Sequence, residues 1–94
     1  AGASTVDVTL KNFSITVAGG SKLAAGKTTF HVTNDGPSAH NLTINGPGVA
    51  DSATPTFGPG TKDLTVTLQK GSYELFCSVP GHKQAGMDTH ITVG

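Results

Sequence analysis

The sequence predicts an all-β fold, a small β-sandwich of about seven to eight strands, and two features of its 94 residues support this prediction. Apolar and polar residues alternate over several short segments, which is the period of a strand with one face buried. Turn-forming residues separate these segments and account for most of the thirteen Gly and five Pro. A chain of this length forms one domain, so residues 1–94 are expected to be a single unit.

The alternating segments follow one another along the chain. The first places Val6, Val8 and Leu10 on its inward face, with Asp and Thr between them. The apolar positions of the later segments are Phe13, Ile15 and Val17; Phe30 and Val32; Leu42 and Ile44; Leu64, Val66 and Leu68; Tyr73 and Leu75; and Ile91 and Val93. Residues 46–62 have no clean period, and we expect a short helical turn or a surface excursion there. Short strands joined by frequent turns favour two antiparallel sheets packed face to face.

Composition excludes several classes of function. Six Lys, no Arg and six acidic residues give no excess charge, whereas a nucleic-acid-binding surface needs a basic stripe. No apolar run approaches the 18 to 20 or so residues needed to span a bilayer. The start, Ala1 to Ser4, has no Met, basic region or apolar run, and we expect a processed chain or an excised domain.

The segment from Cys77 to Met87 carries the strongest chemical signal. Four residues separate Cys77 from His82, and four more separate His82 from Met87. A thiolate, an imidazole and a thioether on one loop are three soft or borderline metal ligands. Cys77 shares its parity with inward-facing Leu75, and Met87 shares its parity with Ile91. Both sulfurs are therefore expected to point inward at one end of the sandwich.

A fourth donor follows from the same argument about strand phase. His40 is in register with Leu42 and Ile44 and should face the core. An imidazole buried without a partner is costly, and a metal shared with the Cys77 loop would provide that partner. His31 and His90 fall on the outward phase of their strands, where we expect them in solvent.

Taken one at a time, these residues have simpler interpretations. A single Cys is most often a small buried hydrophobe, a Met a gap filler and a His a surface residue. Together, Cys77, His82 and Met87 on one loop with His40 facing them favour a metal site. A Met thioether is a poor ligand for zinc, whereas two imidazoles, one thiolate and a long axial Met are the ligands of blue-copper electron-transfer sites.

Two segments, residues 77–87 and residues 36–41, resemble the ligand segments of type 1 copper proteins, the cupredoxins of the plastocyanin and azurin family. The two four-residue gaps are similar to the loops of auracyanins and rusticyanins, while the approach strand from Tyr73 to Cys77 is similar to that of plastocyanins. The resemblance spans nearly the whole chain and implies a Greek-key sandwich with the site at one end.

The same resemblance implies a role for each matching residue. His40, Cys77 and His82 would be the equatorial ligands of one copper ion, and Met87 the axial ligand. Asn41 would donate its backbone amide to the Cys77 sulfur and hold the ligand loop through its side chain at Ser78. The carbonyl of Ala39 lies where azurin has a second weak axial oxygen.

The implied function is the transfer of single electrons through the exposed edge of His82. A small apolar patch would surround that edge, formed by Gly36, Pro37, Pro80, Gly81, Ala85 and Gly86. We expect a monomer that contacts a redox partner briefly, such as a cytochrome, oxidase, reductase or photosystem, without binding nucleic acid or spanning a membrane. Its expected location is the periplasm, the cell surface or the medium, either free or tethered through a longer precursor.

Two other functions stay open, copper storage or delivery and a metal-free adhesion-type sandwich. Catalysis has no comparable support, because the sequence contains neither a nucleophile elbow nor a glycine-rich phosphate loop. Paired carboxylates are not expected either. We assign Asp51, Asp63, Glu74 and Asp88 to the solvated surface.

Overall fold

The structure is a computed structural model that describes residues 4–18 and 22–94. The start of the chain before Ser4 and the predicted turn at residues 19–20 lie outside the described residues. Within these ranges the strands are β1 (Ser4–Lys11), β2 (Ser14–Val17), β3 (Lys22–Leu23), β4 (Gly26–Asn34), β5 (Thr43–Gly46), β6 (Val49–Ala53), β7 (Gly60–Leu68), β8 (Gly71–Phe76) and β9 (Asp88–Val93), and the helix is α1 (His82–Ala85). The strands form two sheets, which confirms the predicted all-β sandwich.

The two sheets have the strand orders β2-β1-β4-β7 and β3-β9-β8-β5-β6. Most neighbours are antiparallel, as expected, but β1 pairs with β4 and β3 pairs with β9 in parallel. The expectation of purely antiparallel sheets was therefore wrong. After β2 the chain contributes β3 to the second sheet, and it then returns to the first sheet as β4, alongside β1 and in the same direction.

The core lies between the inward faces of these sheets. Strict alternation buries Val6, Val8 and Leu10 on β1 and leaves Thr5 and Asp7 exposed. The facing sheet supplies a second set of buried side chains, which includes Ile44, Tyr73, Leu75, Ile91 and Val93. The hydroxyl of Tyr73 donates to the Pro47 carbonyl at 2.5 Å and accepts from the Gln69 amide at 2.8 Å, so its burial leaves no unpaired polar group.

Residues 46–62 are more regular than the sequence indicates. Val49–Ala53 form β6, a hairpin partner of β5, in place of the expected helical turn or excursion. A register shift between Ile44 and Gly46 interrupts the pairing, and such an irregularity removes the period of two that identifies a strand. Beyond β6, Leu42 and Thr54 exchange two hydrogen bonds of 3.0 Å, which tie the segment to the chain just after His40.

Three loops meet at one end of the sandwich. They are the turn between β1 and β2, residues 35–42 after β4, and residues 77–87 between β8 and β9. Phe13 lies in the first loop and is 43% exposed, so its predicted place on an inward face was wrong. No helix among the described residues has the length and apolar character needed to cross a membrane.

Candidate metal centre

Three donor atoms converge where these loops meet. His40 Nδ1 lies 3.0 Å from His82 Nδ1 and 4.0 Å from Cys77 Sγ, and the sulfur lies 3.6 Å from His82 Nδ1. A point equidistant from the three atoms would lie about 2.1 Å from each, close to the metal–nitrogen distances of about 2.0–2.1 Å and metal–sulfur distances of about 2.3 Å of a first-row metal such as zinc. A single ion therefore fits between them.

The loop after β8 positions two of these donors. Cys77 directly follows β8, in phase with its inward-facing Tyr73 and Leu75, and is fully buried. The chain then turns, with the His82 amide donating to the Val79 carbonyl at 3.1 Å, and α1 begins at His82. Gly81 and Gly86 flank this helical turn with φ values of 85° and 131°, which L side chains rarely adopt.

Met87 returns the chain to the core beside Cys77. Its side chain is fully buried, its amide donates to the His82 carbonyl at 3.1 Å, and its carbonyl accepts from the Cys77 amide at 3.1 Å. These bonds close the loop on itself. The predicted inward orientation of both sulfur-bearing side chains agrees with their complete burial.

His40 is held from both sides. Its amide donates to the Phe57 carbonyl at 3.0 Å, and its carbonyl accepts from the Phe57 amide at 2.9 Å. Asn34, which is 2% exposed, organises the loop before it: Nδ2 donates to the carbonyls of Ser38 and Phe57, and Oδ1 accepts from the Gly36 amide at 2.7 Å. Sequence reasoning missed Asn34, although its position in phase with Phe30 and Val32 marks a buried amide that needs partners.

A pair of hydrogen bonds joins the His40 loop to the Cys77 loop. Asn41 Nδ2 donates to Ser78 Oγ at 2.7 Å, and the Ser78 amide donates to Asn41 Oδ1 at 2.8 Å. The structure thus has the side-chain contact expected between Asn41 and Ser78. The donation from the Asn41 amide to the Cys77 sulfur and the axial role of the Ala39 carbonyl stay predictions.

The turn between β1 and β2 supplies further contacts that sequence reasoning missed. His40 Nε2–H donates to Asn12 Oδ1 at 2.6 Å, and Asn12 Nδ2 donates to Ser38 Oγ at 3.0 Å. The Phe13 ring meets the His82 ring edge to face, with centroids 5.0 Å apart. The only sequence signal was the break in alternation at residues 11–12, which does not indicate what the turn will contact.

The environment of His40 favours a neutral imidazole. Burial lowers the pKa of His40, and the nearby His82 lowers it further. A neutral ring whose Nε2–H is donated to Asn12 has the Nδ1 lone pair free for a metal, which is the protonation state that a ligand requires.

The other histidines and acidic groups lie on the surface. His31 is half-exposed and bonds Asp63 across the sheet at 2.7 Å, and His90 is exposed, so the structure agrees with both expected placements. Asp51 is exposed as well.

Asp88 is exposed and Glu74 is half-buried, as the assignment to the surface expects, but the two form a carboxylate pair, so the expectation of no paired carboxylates was wrong. Hydrogen bonding with Asp88 lowers the pKa of Glu74, whereas desolvation and the same interaction raise the pKa of Asp88. Cross-strand pairing of β8 with β9 brings the two side chains together. Lys83 balances their charge, since its Nζ lies 3.0 Å from Glu74 Oε2 and 4.3 Å from the centroid of the Phe76 ring.

The surface around His82 agrees with the expected patch except at one residue. Pro37, Pro80, Gly81, Ala85 and Gly86 are exposed, and His82 itself is half-buried. Gly36 is buried, with Pro59 so close that a Cβ would lie 2.9 Å from its Cγ, so its expected place in the patch was wrong. Phe13 extends the patch, because its ring contacts the His82 ring. Among residues 4–18 and 22–94 it is the one large apolar side chain that is exposed.

The donor set suits copper. A thiolate, two imidazoles and a thioether are too soft for calcium or magnesium, and a fully buried Met beside the other donors is typical of the blue-copper arrangement. The model of a protein family described as copper binding proteins, plastocyanin/azurin family, matches residues 7–94. The chain belongs to this family. Its His40, Cys77, His82 and Met87 are arranged as a type 1 copper site, and copper is its cofactor.

Solved structures of this cupredoxin's fold include blue copper proteins of photosynthetic bacteria. Auracyanin A, a "blue" copper protein of Chloroflexus aurantiacus, superposes with a TM-score of 0.77 at 19% identity, over 99% of this chain and 100% of its own. A reduced auracyanin of Roseiflexus castenholzii gives 0.64 at 22% identity, over 98% and 96%. Rusticyanin of Thiobacillus ferrooxidans gives 0.72 at 20% identity, over 96% and 77%. No curated protein sequence matches the chain.

Proposed function

We propose that this cupredoxin carries single electrons between redox partners. The observation that carries the proposal is the convergence of His40 Nδ1, His82 Nδ1 and Cys77 Sγ within 4.0 Å of one another. Copper bound there supplies a one-electron Cu(I)/Cu(II) couple. His40, Cys77 and His82 would hold the ion strongly, and Met87 would contribute a weak axial thioether.

Rigid ligands support an electron-transfer role. Reorganising ligands or solvent adds to the barrier for electron transfer, so a fast carrier needs donors that stay in place in both oxidation states. Here the Asn41–Ser78 bonds join the two ligand-bearing loops, and bonds from Asn12 and Asn34 hold the loop of His40. Burial of His40, Cys77 and Met87 also keeps water away from the site.

The route for the electron follows from exposure. His40, Cys77 and Met87 are fully buried, whereas His82 is half-buried, so its ring edge is the ligand surface nearest to solvent. The exposed small residues of the ligand loop and the side chain of Phe13 make its surroundings apolar. A small apolar surface suits a brief encounter, as a carrier that must release its partner requires.

Storage or delivery of copper is the alternative with similar ligands. Such a function needs an ion that enters and leaves readily, which is favoured by exposed and mobile donors. Complete burial of three of the four proposed ligands argues against it. A metal-free adhesion domain would have no use for three donor atoms converging around a common centre.

The test is to add Cu(II) and record the visible spectrum. We expect an intense thiolate-to-copper charge-transfer band that Cys77→Ala abolishes and that the control His31→Ala keeps. Absence of the band would support the metal-free sandwich. Reversible one-electron voltammetry with slow release of copper to a chelator supports the carrier, whereas rapid release without a reversible wave supports delivery.

We also propose that the protein works outside the cytoplasm, free or tethered, as cupredoxins do. A lone Cys used as a ligand does not indicate a compartment, so the proposal draws its support from the family. Fractionation of cells that express the natural gene, followed by immunoblotting, tests it. Recovery in the cytoplasmic fraction would contradict it.

A further inference from the structure

We propose that Asn12 is a positioning residue that sets the tautomer and ring orientation of His40 before copper binds. The proposal deepens the proposed function, because it concerns the same site. It begins from the short contact of 2.6 Å between His40 Nε2 and Asn12 Oδ1. A carbonyl oxygen can only accept a hydrogen bond, so the proton of this contact belongs to His40 Nε2.

The consequence at the other ring nitrogen is direct. A neutral imidazole carries one N–H, and with Nε2 protonated its Nδ1 bears a lone pair. Nδ1 is the atom that faces Cys77 and His82. Asn12 therefore holds His40 in the tautomer that a metal needs.

The contact between the two histidines supports this assignment. Their Nδ1 atoms lie 3.0 Å apart, a distance at which two lone pairs repel and one N–H must lie between them when no ion does. Because His40 Nδ1 carries the lone pair, His82 Nδ1–H is the donor in the metal-free protein. The two rings therefore differ before a metal binds: His40 already has a lone pair on Nδ1, whereas His82 must change to its Nε2–H tautomer first.

The surroundings of Asn12 make it a firm acceptor. Its Nδ2 donates to Ser38 Oγ at 3.0 Å, and the Ser38 amide reaches its Oδ1 at 3.4 Å. These contacts hold the amide plane with Oδ1 toward His40. They also connect the β1–β2 turn to the loop that carries His40, so Asn12 Oδ1 keeps its position relative to the His40 ring.

Three variants distinguish a role of Asn12 in positioning the His40 ring from a role in stabilising the β1–β2 turn. Asn12→Ala removes the acceptor, Asn12→Asp keeps an oxygen acceptor, and Ser38→Ala removes the contact at Oγ but leaves Asn12 Oδ1 in place. ¹⁵N NMR of the metal-free protein at alkaline pH reports the tautomer of each histidine. We expect the Nε2–H tautomer of His40 in the native chain, in Ser38→Ala and in Asn12→Asp, and a mixture of tautomers in Asn12→Ala.

Copper affinity, measured by competition with a chelator, gives the second readout. We expect Asn12→Ala to lower it by about 10- to 100-fold, Ser38→Ala by much less, and Asn12→Asp to retain most of it. In the copper-loaded Asn12→Asp protein a carboxylate acceptor should also lower the midpoint potential, because it makes the imidazole a stronger donor to Cu(II).

An Nδ1–H tautomer of His40 in the native chain would overturn the proposal even if every variant failed to fold. Equal losses of affinity in Asn12→Ala and Ser38→Ala, with the Nε2–H tautomer of His40 kept in both, would also overturn it, since a role in the turn alone predicts that result. Electron-transfer activity enters neither readout. A protein that gives the expected tautomers but no reversible copper wave would contradict the proposed function and leave the role of Asn12 standing.

Discussion

Thr43 carries a side-chain hydroxyl that is buried without a hydrogen-bond partner among the described residues. Burying an unpaired hydroxyl is unfavourable, and Val has nearly the same shape without the polar atom. We expect Thr43→Val to raise the free energy of unfolding of the metal-free protein by about 1 kcal/mol, measured by denaturant titration.

Thr54→Val is the matched control for this change. The Thr54 hydroxyl accepts from the Leu42 amide at 3.0 Å, so its removal leaves a buried N–H unpaired. We expect it to lower the free energy of unfolding by about 1–3 kcal/mol. Equal effects of the two substitutions would show that Thr43 has a partner.

Met87 combines a structural and an electronic role. Its side chain is fully buried, and its backbone closes the ligand loop, so a Leu of similar volume should preserve the fold. Loss of the weak thioether donor removes an interaction that favours Cu(II). We therefore expect Met87→Leu to keep the charge-transfer band and to raise the midpoint potential measured by voltammetry. A fall in potential would mean that Met87 does not act as a ligand.

At the scale of the elements, the contact between Asn41 and Ser78 determines how well the two ligand loops stay together. Asn41→Ala removes both hydrogen bonds of this contact, whereas Ser78→Ala removes only the one at Oγ, because the Ser78 amide still donates to Asn41 Oδ1. We expect copper affinity to fall by about 10- to 100-fold in Asn41→Ala and by less in Ser78→Ala. Isothermal competition titrations measure both. A larger loss of affinity in Ser78→Ala than in Asn41→Ala would mean that the Asn41 side chain is not what holds the two loops together.

The strands and the ligand side chains were predictable because both depend on local phase. Alternation places Leu10, Phe30 and Cys77 on inward faces, and the structure buries all three. The contacts of Asn12 and Phe13 were not predictable in the same way. They depend on how closely the β1–β2 turn approaches loops that are distant in sequence, as when Gly86 comes so near that a Cβ would lie 2.8 Å from the Phe13 carbonyl oxygen. Periodicity within one segment contains no information about such an approach.

Across the whole molecule, the buried His40 links the stability of the metal-free protein to pH. Burial lowers the pKa of His40 in the folded protein, whereas in the unfolded chain it stays near its usual value of about 6.5. At pH values between these two pKa values, the unfolded chain binds a proton that the folded chain does not. The free energy of unfolding should therefore fall as the pH drops below about 6.5. Denaturant titrations from mildly alkaline to mildly acidic pH measure this slope, and His40→Gln should make it shallower. An unchanged slope in that variant would mean that other groups cause it.

Charge over the whole molecule sets the salt dependence of electron transfer. Six Lys and six acidic residues cancel, and near the exposed edge of His82 the charge of Lys83 is balanced by Glu74. With no net charge there is little electric field to steer a partner, and little for salt to screen.

For reduction of hexacyanoferrate(III) in a stopped-flow instrument, we expect the rate to change by less than about twofold across ionic strengths from about 0.01 to 0.1 M. The double variant Glu74→Gln/Asp88→Asn is the matched one, because it removes both carboxylates that interact with Lys83 beside the site. The anionic oxidant should then react faster at low salt, and the rate should fall as salt is added. A steep salt dependence of the native protein would show that a local group of charges, and not the balance of the whole chain, governs the encounter.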